Sequence, residues 1–357
     1  MKANNIIFTG GGTGGHIFPA VAIANAMKAL YPNLNIQFIG ALGKMEMQRV
    51  PDAGYPITGL PVRGLIRSLS LKNILVIRNA IRSYFQAKKL LNELNADVVI
   101  GTGGFASLPV CLAAANKNIP LFIWEGNGFA GLTNKLLNKR AKRIYCGFDE
   151  MDAQFPHGNW IHSGNPIRKE LLEPVETNDA LDYFGFNEKR PTVLIIGGSL
   201  GANSINEAVF LNINKWIANG YSVIWQTGKS YQNSQKHAHT WSGQFIQEMK
   251  YAYHLADIVV SRSGALSVSE ITACGIPAIF IPSPNVTDDH QTKNAQKAIK
   301  NGGGVIIKND VVADELGHKV IDILENKELL DKMHKSLIAE AKPNATEAIV
   351  NDIIQHI

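Results

Sequence analysis

The sequence predicts an α/β protein with two Rossmann-like domains, each a parallel sheet with helices on both faces. Its 357 residues are too many for a single hydrophobic core, so two domains are expected. Short apolar runs alternate with longer helical segments in both halves, which is typical of repeated β-α units. Glycine-rich loops follow several of the apolar runs, and 32 glycines with 45% hydrophobic and 18% charged residues fit such a fold.

The three cysteines, Cys111, Cys146 and Cys274, are far apart and form no Cys-x-x-Cys pair. This spacing excludes a cysteine-based zinc site and fits a reducing compartment. No apolar run approaches the 18 residues of a membrane-spanning helix, and the first residues do not have the pattern of a signal peptide. We therefore expect a cytoplasmic protein.

The first half begins with a strand, a glycine loop and a helix. The strand is predicted over residues 5–9, five glycines follow within residues 10–15, and Pro19 is expected in the first turn of the helix. Further strands are predicted at residues 35–40, 97–101 and 121–124, with a helix at residues 74–91. Ligands of a parallel sheet bind at the carboxyl ends of its strands, where these loops gather.

The second half restarts the pattern after a polar stretch, so the domain junction is placed near Gly164. Strands are predicted at residues 192–196, 221–225, 244–246, 257–261 and 276–281, and helices at residues 203–219 and 265–274. The two halves share an architecture without sharing a repeated sequence. We expect two domains that face each other across a cleft.

The first glycine loop has the spacing G-x-G-x-x-G of dinucleotide-binding proteins, which is a weak signal alone. Binding of NAD also needs an acidic residue at the end of the second strand, and that strand ends Phe-Ile-Gly-Ala. A P-loop is excluded because Val223 stands where the first glycine should precede Gly228, Lys229 and Ser230.

His16 stands at the mouth of this first loop. One interpretation is a histidine hydrogen-bonded within the loop, and the other is a residue that does chemistry near neutral pH. The surrounding glycines let a substrate approach the backbone closely, which favours the second interpretation.

Two motifs in the second half suit a nucleotide. The loop from Gly197 to Ala202 offers close backbone approach, the Ser199 hydroxyl and a helix N-terminus for a diphosphate, although a plain strand-to-helix turn has the same pattern. The spacing of Ser267 and Glu270 is that of a helix capping box. The functional alternative is that Glu270 accepts the two hydroxyls of a ribose.

The acidic residues do not suggest a metal site. Asp-x-Asp, the usual divalent-ion motif of nucleotide-sugar enzymes, is absent from the 357 residues. The cluster Asp288-Asp289-His290 lies in a polar loop, where it is solvated or faces a sugar. No metal ion is predicted.

Residues 53–92 contain no acidic residue but seven Lys and Arg residues, a balance that attracts nucleic acid, anionic lipid or a phosphorylated substrate. Apolar residues recur along the predicted helix at Ile74, Ile77, Ile81, Tyr84, Phe85 and Leu91. One interpretation is a stripe that faces the core beside a solvated basic face. The other is a membrane surface, with Arg78, Arg82, Lys88 and Lys89 against anionic lipid.

Seven blocks occur in a recognisable order. They are Gly11-Gly12-Thr13-Gly14-Gly15-His16, Gly103-Gly104-Phe105-Ala106-Ser107, Glu125-x-Asn127 with Gly131-Leu132-Thr133-Asn134-Lys135, Gly164-Asn165-Pro166-Ile167-Arg168, Gly197-Gly198-Ser199-x-Gly201-Ala202, Ser261-Arg262-Ser263-Gly264-Ala265 through Glu270, and His290-Gln291-x-x-Asn294-Ala295. Together they resemble the GT-B glycosyltransferases over nearly the whole chain. More narrowly, they resemble the family 28 enzymes that are undecaprenyldiphospho-muramoylpentapeptide β-N-acetylglucosaminyltransferases.

The resemblance implies an inverting, metal-independent transfer of N-acetylglucosamine in peptidoglycan synthesis. The donor is UDP-N-acetylglucosamine and the acceptor is the C4 hydroxyl of a muramoyl-pentapeptide on undecaprenyl diphosphate. It implies no cofactor, no nucleic-acid partner, and a peripheral position on the cytoplasmic face of the inner membrane. Residues 1–163 then form the acceptor and membrane domain, onto which a helix near residues 344–357 packs back, and residues 164–343 form the UDP-sugar domain.

The resemblance also assigns roles to residues. His16 is the catalytic base, with Glu125 as the next candidate, and the first glycine loop faces the acceptor and its lipid-linked diphosphate. Glu270 holds the ribose, and Ile246 packs at the uracil with its backbone bonded to it. The residues expected to bind the donor or the transferred sugar are Thr13, Gly14, Gly15, Asn127, Arg168, Ser199, Ile246, Ala265, Leu266, Ser267, Val268, Ser269, Glu270 and Gln291.

Three residues depart from the family pattern, and several functions stay open. Trp124 and Gly126 stand where the family usually has His and Gln, and Leu200 stands where it usually has Gln. The open alternatives are a lipid glycosyltransferase of another kind, a UDP-N-acetylglucosamine 2-epimerase and a non-catalytic nucleotide-sugar sensor.

Overall fold

The computed structural model describes residues 3–64, 72–198, 200–231 and 237–357. The chain divides into two units, one made of Met1–Ile167 with Asn344–Ile357 and the other of Arg168–Pro343. Each unit has its own hydrophobic core between its sheet and its helices. Both units are therefore α/β domains.

The first unit is built on a parallel sheet that has, among its described residues, seven strands in the order β3-β2-β1-β4-β5-β6-β7. The strands are β1 Asn5–Thr9, β2 Asn35–Ala41, β3 Ile57–Leu60, β4 Val98–Gly101, β5 Leu121–Glu125, β6 Arg143–Cys146 and β7 Trp160–His162. The helices are α1 Gly14–Leu30, α2 Glu46–Asp52, α3 Lys72–Glu93, α4 Leu108–Asn116 and α5 Leu132–Leu137. The strands form because buried Ile, Val and Phe side chains fill both faces of the sheet.

The second unit carries a parallel sheet with six described strands in the order β10-β9-β8-β11-β12-β13. The elements in chain order are α6 Thr177–Phe184, β8 Thr192–Ile196, α7 Asn203–Ala218, β9 Ser222–Gln226, β10 Thr240–Gly243, α8 Met249–Leu255, β11 Ile258–Ser261, α9 Ala265–Cys274, β12 Ala278–Phe280, α10 His290–Ile299, β13 Gly304–Ile306, α11 Val312–Leu324 and α12 Lys327–Glu340. Short 3-10 helices occupy Lys169–Leu172 and Thr287–Asp289.

The last helix, α13 Ala345–Gln355, packs against α1 in the first unit. Its Asp352 carboxylate accepts a hydrogen bond from the Tyr145 hydroxyl at 2.8 Å and pairs with Arg143 at 3.1 Å. Burial and the Asp352 carboxylate raise the pKa of Tyr145 strongly, so its hydroxyl stays protonated as a donor. Polar contacts on β6 and apolar contacts on α1 therefore hold α13 in place.

Two local predictions are wrong. Pro19 lies five residues after the first residue of α1, in the second turn, because the helix already begins at Gly14. No strand covers residues 244–246, since the strand here is Thr240–Gly243, which pairs with β9. The N–H of Ile246 instead donates to the side-chain oxygen of Gln226 at 3.1 Å.

Candidate active site

The glycine loop after β1 is fixed by a buried carboxylate. Glu46, at the start of α2, has no exposed surface; its Oε2 accepts the N–H of Gly12 and its Oε1 accepts the N–H of Ala41, each at 3.0 Å. A Cβ on Gly11 would lie 2.1 Å from Glu46 Oε1, so only glycine fits there. The prediction that this loop binds a diphosphate is weakened, because a protein anion already occupies the Gly12 N–H.

His16 is the third residue of α1, and Thr102 orients it from the end of β4. The Thr102 carbonyl oxygen lies 2.8 Å from His16 Nδ1, and the Thr102 hydroxyl donates to the His16 carbonyl at 2.7 Å. Because a carbonyl only accepts, Nδ1 carries the proton, and the neutral ring then keeps its lone pair on Nε2. The ring therefore has the tautomer that a general base at Nε2 requires.

Two glycines after β4 pack against this imidazole. A Cβ on Gly103 or on Gly104 would lie 3.2 Å from ring atoms of His16, and a Cβ on Gly104 would also lie 2.3 Å from the Gly11 carbonyl oxygen. Both have positive φ, 91° and 78°. The second glycine block therefore positions the histidine of the first block, so the two motifs, which are far apart in the sequence, form one structural unit.

Glu125, at the end of β5, folds the next loop rather than facing a substrate. It is 3% exposed; its Oε1 accepts the N–H of Asn127 at 3.0 Å, and its Oε2 accepts the N–H of Gly131 and the side-chain amide of Asn134, both at 2.9 Å. Both carboxylate oxygens are thus engaged by groups of the protein itself. Glu125 is thus a poor alternative to His16 as the base.

Asn127 and Asn134 belong to the same end of the first sheet as His16. The Asn134 amide nitrogen would lie 3.5 Å from a Cβ on Gly103, the residue that packs on the imidazole, and the Thr133 hydroxyl donates to the Gly104 carbonyl at 3.2 Å. The loops after β1, β4 and β5 therefore meet around His16. Thr13, Gly14 and Gly15 lie at the N-terminus of α1 in this group.

The departures at Trp124 and Gly126 are coupled. The Trp124 ring is buried, and its Cη2 atom would lie 2.4 Å from a Cβ on Gly126. The large indole thus fills the space that a side chain at position 126 would need. Since each residue explains the other, the pair is a local repacking that preserves the Glu125 contacts.

Arg168 and Glu270 form an ion pair in the second unit. The guanidinium Nε and Nη2 atoms donate to the two carboxylate oxygens at 3.1 and 3.2 Å, and the Tyr253 hydroxyl donates to Glu270 at 3.3 Å. Burial lowers the pKa of Arg168, but the Glu270 carboxylate and smaller contributions outweigh it and the net shift is upward. Burial, reinforced by Glu270, raises the pKa of Tyr253 well above its usual value.

The capping-box interpretation of Ser267 and Glu270 is wrong. Helix α9 begins at Ala265 with Gly264 as its N-cap, and the Glu270 carboxylate bonds to Arg168 and Tyr253 instead of the helix N-terminus. Val268 is 2% exposed, so its side chain belongs to the core and only its backbone can meet a ligand.

A cavity of about 630 Å³ lies beside the glycine loop after β8. Its described lining includes Gly197, Gly198 and Ser267, together with Gln291, whose Oε1 accepts the N–H of Ser283 at 2.9 Å. The N-termini of α7 and α9 both reach it, since Asn203 and Gly264 contribute to the lining. Helix N-termini favour anions. Ser199 lies outside the described residues.

Arg262, which belongs to the sixth sequence block but was given no role of its own there, supplies positive charge to this cavity. Its Nη1 donates to the carbonyls of Ile281 and Pro282 at 3.0 and 3.1 Å, and its Nη2 donates to the Ser204 hydroxyl at 3.1 Å. No carboxylate pairs with it within the described part of the chain. Burial lowers its pKa, yet a guanidinium remains charged at neutral pH.

The apolar face of α3 is largely exposed, so the core-facing interpretation is wrong for Ile77, Ile81 and Phe85. Their exposed fractions are 54%, 55% and 63%. Leu91 is buried and Tyr84 packs on the core, as expected, while the side chain of Ile74 lies outside the described residues. Val76, Ser83 and Ala87 are also buried, and Leu90 packs against the core. Small residues suffice here because α3 packs closely on the alanine-rich α4.

Arg78, Arg82, Lys88 and Lys89 are exposed on the same helix, and only Lys89 has an acidic partner among the described residues, Glu93 at 3.4 Å. None of the described helices is long and apolar enough to cross a bilayer. The described residues also contain no cluster of His, Cys, Asp and Glu suited to a metal ion.

Comparison with known proteins decides the family. Residues 6–146 match the glycosyltransferase family 28 N-terminal domain, and residues 192–349 match the glycosyltransferase family 28 C-terminal domain. The chain belongs to glycosyltransferase family 28. The family and the GT-B fold class predicted from the seven blocks are thus confirmed.

Relatives within family 28 match along the whole chain. A protein of Cytophaga hutchinsonii, named UDP-N-acetylglucosamine–N-acetylmuramyl-(pentapeptide) pyrophosphoryl-undecaprenol N-acetylglucosamine transferase, is 42% identical over 361 residues, covering 100% of this chain and 98% of its own. A crystal structure of MurG from Acinetobacter baumannii is similar with a TM-score of 0.78 at 28% identity, covering 99% and 100% of the two chains. A putative UDP-N-acetylglucosamine 2-epimerase from Listeria monocytogenes shares only the fold, with a TM-score of 0.69 at 13% identity and coverage of 99% and 96%.

Proposed function

We propose that this family 28 enzyme transfers N-acetylglucosamine from UDP-N-acetylglucosamine to a muramoyl-pentapeptide linked to undecaprenyl diphosphate. The observation that carries the proposal is the 42% identity, over the full length of both chains, to a relative named for that reaction. The epimerase alternative has no comparable support, because its likeness at 13% identity extends to the fold alone.

The acceptor hydroxyl is activated by His16. In an inverting transfer, the hydroxyl attacks the anomeric carbon from the face opposite UDP, and its proton must leave as the bond forms. The Thr102 carbonyl holds the proton on His16 Nδ1, which leaves Nε2 as the basic nitrogen that accepts the hydroxyl proton. Asn127, held by Glu125, positions the sugar on the same edge of the first sheet.

The donor is held by the second unit. Its diphosphate meets the N-termini of α7 and α9, with the Arg262 guanidinium stabilising the charge that develops on the leaving UDP. Glu270 accepts the ribose hydroxyls; the bidentate bond from Arg168 fixes its carboxylate in one orientation. Because the N–H of Ile246 is bonded to Gln226, its carbonyl is the backbone group assigned to the uracil.

The enzyme works at the cytoplasmic face of the membrane. The three cysteines are free thiols, in keeping with a reducing compartment. Exposed Ile77, Ile81 and Phe85 insert among lipid head groups, and the surrounding cations gain about 1 kcal/mol each near anionic lipid.

The double variant Arg82→Gln/Lys88→Gln should therefore bind vesicles containing an anionic lipid more weakly than the wild type in a sedimentation assay. Equal binding of the variant and the wild type would rule out this surface.

The decisive test is transfer of labelled sugar from UDP-N-acetylglucosamine to a short-chain analogue of the lipid-linked acceptor. We expect a product with a β linkage, established by NMR. Free epimerised sugar without transfer would identify an epimerase. Tight binding of UDP-N-acetylglucosamine without turnover on any acceptor would identify a sensor, and either result overturns the proposal.

A further inference from the structure

The first unit contains a second cavity, of about 1180 Å³, beside β2, β3 and α3. It exceeds the usual size of a ligand pocket, about 300–1,000 Å³. Its described lining contains three cationic side chains, Lys44, Arg63 and Arg78, and no carboxylate. The apolar side chains of its lining are Leu42, Pro61, Val62, Leu75, Val76 and Phe105.

We propose that this cavity binds the diphosphate and the first isoprenoid units of the acceptor lipid, an inference that rests on the proposed function. A cavity with an apolar wall and an uncompensated cluster of three cations is complementary to an amphiphilic anion. A prenyl diphosphate has this character, since it joins a charged head directly to a branched hydrocarbon chain. Lys44, Arg63 and Arg78 hold the diphosphate, and the apolar side chains contact the chain.

The neighbouring glycine loop is less suited to this diphosphate. The buried Glu46 carboxylate accepts the Gly12 N–H at 3.0 Å, so this N–H is already bonded within the protein. Lys44 lies two residues before Glu46, in the turn between β2 and α2. The glycine loop thus bonds to a carboxylate of the protein, whereas the cavity beside it is lined by Lys44, Arg63 and Arg78, which favours the cavity as the site of the diphosphate.

Phe105 connects the cavity with His16. Its ring lines the cavity and would lie 3.0 Å from a Cβ on Gly12 and 3.3 Å from one on Gly64. The same loop after β4 carries Gly103 and Gly104, which pack on the His16 imidazole. A single loop therefore borders both places, so an acceptor with its diphosphate in the cavity can extend its sugar towards His16.

Helix α3 connects the cavity with the exposed apolar face. Leu75, Val76 and Arg78 line the cavity. Ile77, which lies between Val76 and Arg78, and Ile81, one helical turn after Ile77, are exposed. A lipid chain that leaves a bilayer contacted by this face therefore reaches the cavity along one helix. Helix α3 therefore contributes both to the proposed membrane surface and to the proposed lipid site.

The first experiment measures binding to the whole protein by calorimetry in lipid-free buffer, with geranyl diphosphate, inorganic pyrophosphate and geraniol as probes. Each buried methylene contributes about fourfold in affinity, so geranyl diphosphate should bind at least about tenfold more tightly than either fragment. Equal binding of geranyl diphosphate and pyrophosphate would show that no chain is bound. Displacement of geranyl diphosphate by UDP would place it in the donor cavity. Either result overturns the inference.

The second experiment uses the variant Lys44→Gln/Arg63→Gln. Its affinity for geranyl diphosphate should fall about tenfold or more, and its KM for a soluble short-chain acceptor should rise similarly, while binding of UDP is unchanged. The matched control is Arg49→Gln/Lys139→Gln, which removes one Arg and one Lys charge from exposed positions outside the cavity. Among the described residues, Arg49 pairs with the exposed Asp52 and with no other carboxylate. The control should behave as the wild type in every assay.

The two proposals fail in different ways. If the wild type transfers sugar and the cavity variant has an unchanged acceptor KM and unchanged affinity for geranyl diphosphate, the cavity is not the lipid site and the proposed function stands. If the wild type transfers no sugar to a lipid acceptor, the proposed function is wrong, and the calorimetry still decides whether the cavity binds a prenyl diphosphate.

Discussion

The two glycine loops at the centres of the two sheets have similar sequences and opposite electrostatic surroundings. β1 and β8 hold equivalent places, with the strand orders β3-β2-β1-β4 and β10-β9-β8-β11, and each is followed by a glycine loop and a long helix. In the first loop, the Gly12 N–H is bonded to the buried Glu46. In the second, the loop borders a cavity lined by Arg262, which pairs with no carboxylate among the described residues.

The difference shows that the glycines determine the shape of such a loop and that the neighbouring charge determines its ligand. A carboxylate converts the first loop into a rigid support for His16, and a guanidinium keeps the second loop suited to a diphosphate. A phosphate site therefore cannot be inferred from the glycine pattern without the side chains that the fold brings beside it.

The largest effect is expected for His16→Ala, which removes the chemistry assigned to the first loop. Transfer should slow by about 10²–10⁴-fold, because proton removal from the acceptor loses its base, while the Kd for UDP stays within about twofold. Steady-state kinetics and calorimetry measure the two quantities. His157→Ala, an exposed histidine of the same unit, is the control. Normal turnover of the His16 variant would remove it from the mechanism.

Arg262→Gln tests the charge beside the second loop. Loss of a partly buried cation should weaken UDP binding by roughly 10-fold to 100-fold, since hydrogen bonds to charged groups contribute about 1.5–3 kcal/mol. Arg262→Lys keeps the charge and should recover part of the affinity, whereas a purely structural role would predict no recovery. Lys332→Gln is the matched control on the surface of the second unit. Calorimetry with UDP measures all three, and unchanged binding in Arg262→Gln would contradict the assignment.

The smallest effects on turnover come from alanine at corresponding glycines, which acts mainly on stability. In Gly11→Ala the new methyl group would lie 2.1 Å from Glu46 and must displace a carboxylate that satisfies two N–H groups, at about 1–3 kcal/mol for each lost bond. In Gly198→Ala the new methyl group has no described residue within 4 Å apart from its chain neighbours, and the positive φ of 86° costs only about 1–2 kcal/mol.

The melting temperature should therefore be lowered more by Gly11→Ala than by Gly198→Ala. The affinity for UDP should be lowered only by Gly198→Ala. The reverse order of melting temperatures would show that Glu46 does not restrain the first loop.

Several elements could be predicted from the sequence because their signals are local. The strand at residues 192–196 and the helix at residues 265–274 were predicted with the same bounds that they have in the structure. Both are marked at their ends by glycine or by a change from apolar to polar residues. His16, Glu270 and Gln291 could be proposed as site residues because their motifs are contiguous.

The contacts that define the site were not predictable, because they join residues far apart in the chain. Glu46 lies 34 residues from Gly12, and Thr102 lies 86 residues from His16. Helical spacing on α3 could not tell a buried stripe from an exposed one, since Ser83 and Ala87 contribute little to an apolar pattern yet face the core. Only the packing of α4 determines which side of α3 is covered.

The return of α13 to the first unit has a consequence for how the protein is made. Ile349, Val350 and Ile353 are fully buried, and α13 contacts α1, so the first unit lacks part of its core until residues 345–355 have been synthesised. During synthesis, the first unit therefore stays incomplete while residues 168–343, which form the second unit, are made. Removal of residues 345–355 would therefore expose apolar surface on α1 in the first unit.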